Sequence, residues 1–202
     1  MLLNLFTHSL QQVLFLTGGS VSSATGWARP ATDPVPVGPL LHDFRQWAPL
    51  SPEEVVGCEW RTPDADMSAA VLASLTSANG RFLSMSWHGS AATLGRHDEC
   101  LTVFGTEGTL HLIGQPWVQQ IEYGTRGSGS WEVIPVPNLE KSASVEDPIQ
   151  DGWNQLVRDF VDDIRVPGSA GYPTFVDGWI ANEVIDSARR RSGWTSLPDP
   201  LT

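Results

Sequence analysis

Between Ala69 and His88 the chain alternates apolar and polar residues on either side of Asn79-Gly80. Val71, Ala73 and Leu75 share one face of the first run, Ala69 to Ser77. Leu83, Met85 and Trp87 share one face of the second, Arg81 to His88, with Ser84, Ser86 and His88 on the other. A period of two is what a half-buried strand demands, because successive side chains point to opposite faces. Asn-Gly between two such runs predicts a hairpin with a type I′ turn, whose central residues both need positive φ. A chain built around this hairpin must bury one face of an antiparallel sheet against something else.

Further β signals surround it. Glu99 to Phe104 reads as a strand that reverses through Gly105-Thr106-Glu107-Gly108 into Thr109 to Ile113. Gln119 to Tyr123 and Ser130 to Ile134 form a second hairpin across a glycine-rich loop, ended by Pro135 and Pro137. Ser20 to Trp27 and Glu54 to Trp60 are predicted as strands. Pro30, Pro34, Pro36, Pro39, Pro49 and Pro52 forbid regular structure between them, so this stretch is expected to run over the surface, with one helical turn at His42 to Trp47.

Helical patterns occupy the two ends. Leu3, Phe6, Leu10, Val13 and Leu14 recur at helical spacing, with Asn4, His8, Gln11 and Gln12 opposite and Gly18-Gly19 as the stop. Asp147 is placed to cap a helix with Pro148 first and Gln150 third, and Trp153, Leu156, Val157, Phe160, Val161 and Ile164 form its apolar stripe. Thr174 caps a last helix that buries Ile180, Ala181, Val184, Ile185 and Ala188 and stops near Gly193. The expected class is α+β: one domain, 1–202, with a large mainly antiparallel sheet and helices covering one face.

Charge and composition narrow the partners. The formal net charge is −11 and Lys141 is the sole lysine, so nucleic acid and anionic membrane surfaces are disfavoured. Arg189, Arg190 and Arg191 close a helix, where cations suit the dipole. Cys58 and Cys100 lie in apolar runs and read as buried free thiols of a reducing cytoplasm. The N-terminal segment lacks the basic start of a signal peptide, and no stretch is apolar enough to span a bilayer, so a cytoplasmic protein is expected. Nine tryptophans against two tyrosines predict aromatic area in a core or subunit interface. Leu72, Phe82, Cys100 and Phe104 make the second sheet face apolar as well. A homodimer or tetramer through that face, burying on the order of 2,000 Å², is expected.

Four stretches carry a family resemblance: LLNLFTHSLQQVLFLTG, SANGRFLSMSWHG, ECLTVFGTEGTLHL and YPTFVDGWIANEVIDSARRRSGW. Together, over Leu2 to Pro198, the chain resembles the C-terminal substrate and oligomerisation domain of the Gfo/Idh/MocA (glucose–fructose oxidoreductase / inositol dehydrogenase) family. The resemblance implies a parent enzyme that oxidises or reduces a sugar or polyol hydroxyl with NAD or NADP. In that family a separate Rossmann domain holds the cofactor, with G-x-G-x-x-G and a lysine in E-K-P. Neither motif occurs in these residues: Gly18-Gly19 does not complete the fingerprint and Lys141 lies in a polar loop. No cofactor is therefore expected in this chain. The implied function is a truncated or stand-alone substrate-binding domain, not catalytically competent alone. The alternative is a non-catalytic carbohydrate-binding or scaffolding subunit that pairs with another chain. A third reading is a split enzyme with a separate Rossmann-domain chain.

The resemblance also nominates a site. The family pattern L-x-D-x-G-x-H-x-x-D places an aspartate four residues before a histidine, so that one helix face carries an acid/base histidine and the carboxylate that orients it. Here the histidine is His8, but Asn4 holds the aspartate position, Phe6 the glycine and Gln11 the later aspartate. Asn4 can hydrogen-bond an imidazole without stabilising its cation. His8 reads either as a remnant acid/base or as a solvent-facing helix residue. A second candidate is Arg96-His97-Asp98, where His97 would bind a substrate hydroxyl and Arg96 an anionic group, with His88 pointing to the same region. If the site is intact, Asn4, His8, Arg96 and His97 line one polar pocket. No spacing of histidine or cysteine matches a metal motif, and no G-x-S-x-G elbow occurs.

Overall fold

The computed structural model describes residues 5–30, 32–42, 48, 50–90, 100–114, 120–135, 148–168, 172–190 and 193–197. The elements are α1 (Thr7–Thr17), β1 (Ser20–Pro30), β2 (Val35–Pro36), α2 (Pro52–Gly57), β3 (Trp60–Arg61), β4 (Asp66–Thr76) and β5 (Phe82–Ser90). They continue with β6 (Cys100–Phe104), β7 (Gly108–Ile113), β8 (Gln120–Thr125), β9 (Trp131–Ile134), α3 (Pro148–Arg165), α4 (Phe175–Arg190) and β10 (Thr195–Ser196). The chain forms two compact units, Met1–Thr93 with Thr174–Thr202, and Leu94–Pro173. The fold is α+β, with two four-stranded antiparallel sheets.

The first unit holds the sheet β10-β1-β4-β5. Its inward face follows the expected alternation: Val71, Ala73 and Leu75 are buried, and Leu83, Met85 and Trp87 pack against them. Phe6 just before α1, Leu10 and Leu14 of α1, and Ile180, Ala181, Val184, Ile185 and Ala188 of α4 close over that face. Each of the larger aliphatic or aromatic side chains removed from water contributes roughly 1.5–3 kcal/mol before chain entropy is counted. In β1 the register shifts between Val21 and Ser23, so Val21 and Ala24 are both buried despite their odd spacing. This bulge is invisible to a strict period of two. Gly26 lets α4 lie close: a Cβ there would meet the Ala70 carbonyl oxygen and sit 2.9 Å from Ala188 Cβ. Gly18, at φ 57°, ends α1 in the left-handed conformation, as its position predicts.

Three local expectations need correction. Glu54 to Trp60 is not a strand: Pro52–Gly57 is a helix, because Ser51 accepts from the Glu54 N–H and Glu54 accepts from the Ser51 N–H, with Pro52 at the first position. That reciprocal cap overrides the β preference of Val55-Val56. The Asn79-Gly80 hairpin forms, but not through a type I′ turn. Ser77 donates to Arg81 O, and the Gly80 N–H donates to Ser77 O, so Ala78-Asn79 are central and Gly80, at φ 76°, follows them. Such a longer loop with a glycine bulge suits the sheet twist equally well. The cysteines are free but not buried: Cys58 is half-buried after α2, and Cys100 is exposed on β6.

Most of the described tryptophans lie outside the core of the first unit. Trp87 packs against the core, its ring edge-on to Phe6 at 5.5 Å between centroids. Trp27, Trp60, Trp131, Trp153, Trp179 and Trp194 are each at least 36% exposed. The outward face of the first sheet carries Trp27, Leu72 and Phe82 among serines and threonines, and Leu72 and Phe82 are 49% and 72% exposed.

The second unit holds the sheet β6-β7-β8-β9 and α3. Tight reversals build it: Gly105 donates to Gly108 O, and Arg126 donates to Glu107 O, tying the two loops at one end. Helix α3 begins at Pro148, as expected, and its stripe from Trp153 to Ile164 is 36–66% exposed. After it, Asp163 accepts from the Gly168 N–H and the Tyr172 hydroxyl, folding the chain back so that Phe160 and Tyr172 meet edge to face. That carboxylate raises the Tyr172 pKa above its usual 10.0, with desolvation adding to it. The predicted cap Asp147 and positions 43–47 lie outside the described residues. Thr174 does cap α4, exchanging hydrogen bonds with Asp177.

Candidate functional site

Of the residues nominated from sequence, His8 and His88 are described; Asn4, Arg96 and His97 lie outside the described residues. His8 is exposed on the polar face of α1. Its surroundings are engaged in packing. Phe6, in the family's glycine position, is fully buried. Gln11, in the later aspartate position, donates from Nε2 to the Asp177 carbonyl at 3.1 Å and clamps α1 to the first turn of α4. Ser9 accepts from the Trp87 indole N–H at 3.2 Å. Two of the three substituted positions, Phe6 and Gln11, are thus engaged in packing and in holding α1 to α4. His88 is exposed on β5, 6.4 Å from the Trp27 ring.

Sequence reasoning passed over a different group, on one face of the second sheet. In antiparallel pairs directly opposed residues project to the same side. The pairs Thr102↔His111 and His111↔Glu122 therefore form one row, and Thr109↔Gly124 and Gly124↔Trp131 form the next. His111 Nδ1 faces Glu122 Oε2 at 3.7 Å, too long for a hydrogen bond, while Gln120 donates to the other Glu122 oxygen at 2.6 Å. The Trp131 indole lies 6.3 Å from the imidazole, tilted by 59°. This half-exposed imidazole, carboxylate, amide and indole can present donors and acceptors beside an aromatic plate. The signal was only the two-residue spacing of Thr109-His111 and Gln120-Glu122, and it has no meaning until the strand register is known.

Among the described residues no three histidine, cysteine, aspartate or glutamate side chains gather as metal ligands. No described helix is long and apolar enough to cross a membrane.

No family model and no curated protein matches the sequence. Solved structures do match the fold. An oxidoreductase domain protein from Kribbella flavida aligns with a TM-score of 0.61 and 16% identity, over 97% of this chain and 51% of that one. An oxidoreductase from Sinorhizobium meliloti aligns at 0.61 and 15%, over 95% and 51%. A super-repressor mutant of Gal80p from Saccharomyces cerevisiae aligns at 0.62 and 13%, over 96% and 48%. The chain spans about half the length of the solved structures that it matches. Its fold is that of about half of each of these solved proteins.

Proposed function

We propose that these residues are the substrate-binding and oligomerisation domain of an NAD(P)-dependent oxidoreductase acting on a sugar or polyol, unable to transfer hydride without a nucleotide-binding domain. The observation that carries this reading is the alignment of 97% of the chain with 51% of an oxidoreductase domain protein. The absence of a dinucleotide fingerprint within the sequence is in keeping with it. A non-catalytic scaffolding subunit is the second reading. It is favoured by Gln11 and Phe6, which serve the core where the family pattern has site residues. Both readings have the open face of the first sheet, with Trp27, Leu72 and Phe82, pairing with a second copy of the chain in the cytoplasm.

Titration of the 202-residue chain with NADH, read by energy transfer from tryptophan, is expected to show no saturable binding. In sedimentation at micromolar concentration a dimer is expected. Micromolar NADH affinity would overturn the first reading. A well-folded monomer would remove the oligomerisation role from both.

A further inference from the structure

The end of the second sheet carries an open cleft of about 380 Å³ between the loop that follows Phe104 and the loop that follows Thr125. This lies within the roughly 300–1,000 Å³ of small-molecule sites. Its walls include Thr106, Thr109, Arg126, Ser130 and Trp131 over a floor at Gly124. A Cβ built on Gly124 would lie 3.3 Å from three atoms of the Trp131 six-membered ring, so the indole rests flat on that glycine. The side chain is nonetheless 55% exposed, which leaves the opposite ring face open.

Three chemistries meet here. An open indole face stacks on the apolar C–H face of a ring. The hydroxyls of Thr106, Thr109 and Ser130 each donate and accept, which suits a ligand whose own groups are hydroxyls. Arg126 makes no ion pair among the described residues, although the chain carries a net charge of −11. A guanidinium at such a cleft, not consumed by any described carboxylate, offers a fork to an anionic oxygen pair. We infer that this cleft binds an acidic sugar: a pyranose ring stacked on Trp131, hydroxyls on the threonine and serine side chains, and a carboxylate or phosphate on Arg126. The inference concerns the second unit alone and does not rest on the reading of His8.

Calorimetry and indole N–H chemical shifts of the full chain test it, with glucuronate, glucose 6-phosphate, glucose and inorganic phosphate as probes. One or both acidic sugars are expected to saturate below about 10 mM, with glucose about tenfold weaker. Which acidic sugar binds more tightly tells a uronate site from a sugar phosphate site. Trp131→Ala should abolish sugar binding, and Arg126→Gln should erase the preference for the charged sugars. Gly124→Ala, which forces the indole to move by a few tenths of an ångström, should weaken binding while circular dichroism stays unchanged. The proposal is overturned if no sugar saturates. It is equally overturned if inorganic phosphate binds as tightly as glucose 6-phosphate, or if Trp131→Ala leaves affinity intact in a folded protein.

Discussion

In the first unit, β1 and β4 bury Ala24, Ala28, Ala69, Val71, Ala73 and Leu75 beneath α1 and α4, to 7% exposure or less. In the second, the matching apolar face of Leu101, Val103, Leu110, Leu112, Ile121 and Ile134 stays half open, with Val103, Leu110 and Ile134 at 36–40%. Both sheets are antiparallel, four-stranded and clearly alternating. What differs is the cover. Small side chains and Gly26 let α4 settle onto β1, and Phe6, Leu10 and Leu14 add three large residues to the same layer. Alternation decides which side chains share a face, whereas burial depends on an element shaped to close over it.

The widest test of this contrast is a pair of truncations. Phe6→Ala removes a fully buried ring and is expected to cost about 3–5 kcal/mol, whereas Leu112→Ala, from the half-open face, should cost about 1 kcal/mol. Urea unfolding of both variants measures the difference. Equal losses would break the comparison and place a tight core in the second unit as well.

A smaller effect sharpens the role of close approach. Gly26→Ala should cost about 1–3 kcal/mol by pushing on Ala188 and the Ala70 carbonyl. Ala188→Gly in the same chain should recover part of it, since it removes one of the two obstacles. Lack of any recovery would assign the whole cost to β4.

The smallest effect concerns α2, which belongs to neither layer of the core. The Ser51 backbone and hydroxyl hold the Glu54 pKa below its usual 4.5. A lowered folded pKa means that the cap is fully present above 4.5 and is lost as pH falls through the lowered value. Protection factors of the amides in Pro52–Gly57 should therefore fall in acid before those of the β4 and β5 amides respond. Glu54→Gln should remove most of that pH dependence. Simultaneous loss across α2 and the first sheet would mean that the helix melts only with its core.

The strands and the outer helices were legible because their periods are set locally. Val71, Ala73 and Leu75, and Ile180 through Ala188, occupy the buried positions that spacing assigned to them. What escaped was decided by hydrogen bonds between distant or competing groups. The bulge at Ser22 follows from pairing with β4, the helix at Pro52 from a cap that outweighs two valines, and the Gly80 turn from a loop one residue longer than the dipeptide suggests. The site was less legible still. The family pattern pointed to His8, whereas the row through His111, Glu122 and Trp131 exists only through cross-strand register.

The first unit is assembled from both ends of the chain, with the second threaded between them. Ser187 on α4 donates to the Ala24 carbonyl from 163 residues away, and the Leu197 N–H donates to Ser22 O at the bulge. During synthesis β1, β4 and β5 therefore leave the ribosome long before the helix that covers them. At about 5–20 residues per second, their apolar face waits several seconds for α4. The second unit, contiguous in sequence, has no such delay. Nascent chains stalled before Phe175 should consequently recruit chaperones through β1 and β4, and a circular permutant that brings α4 next to β1 should shorten the wait.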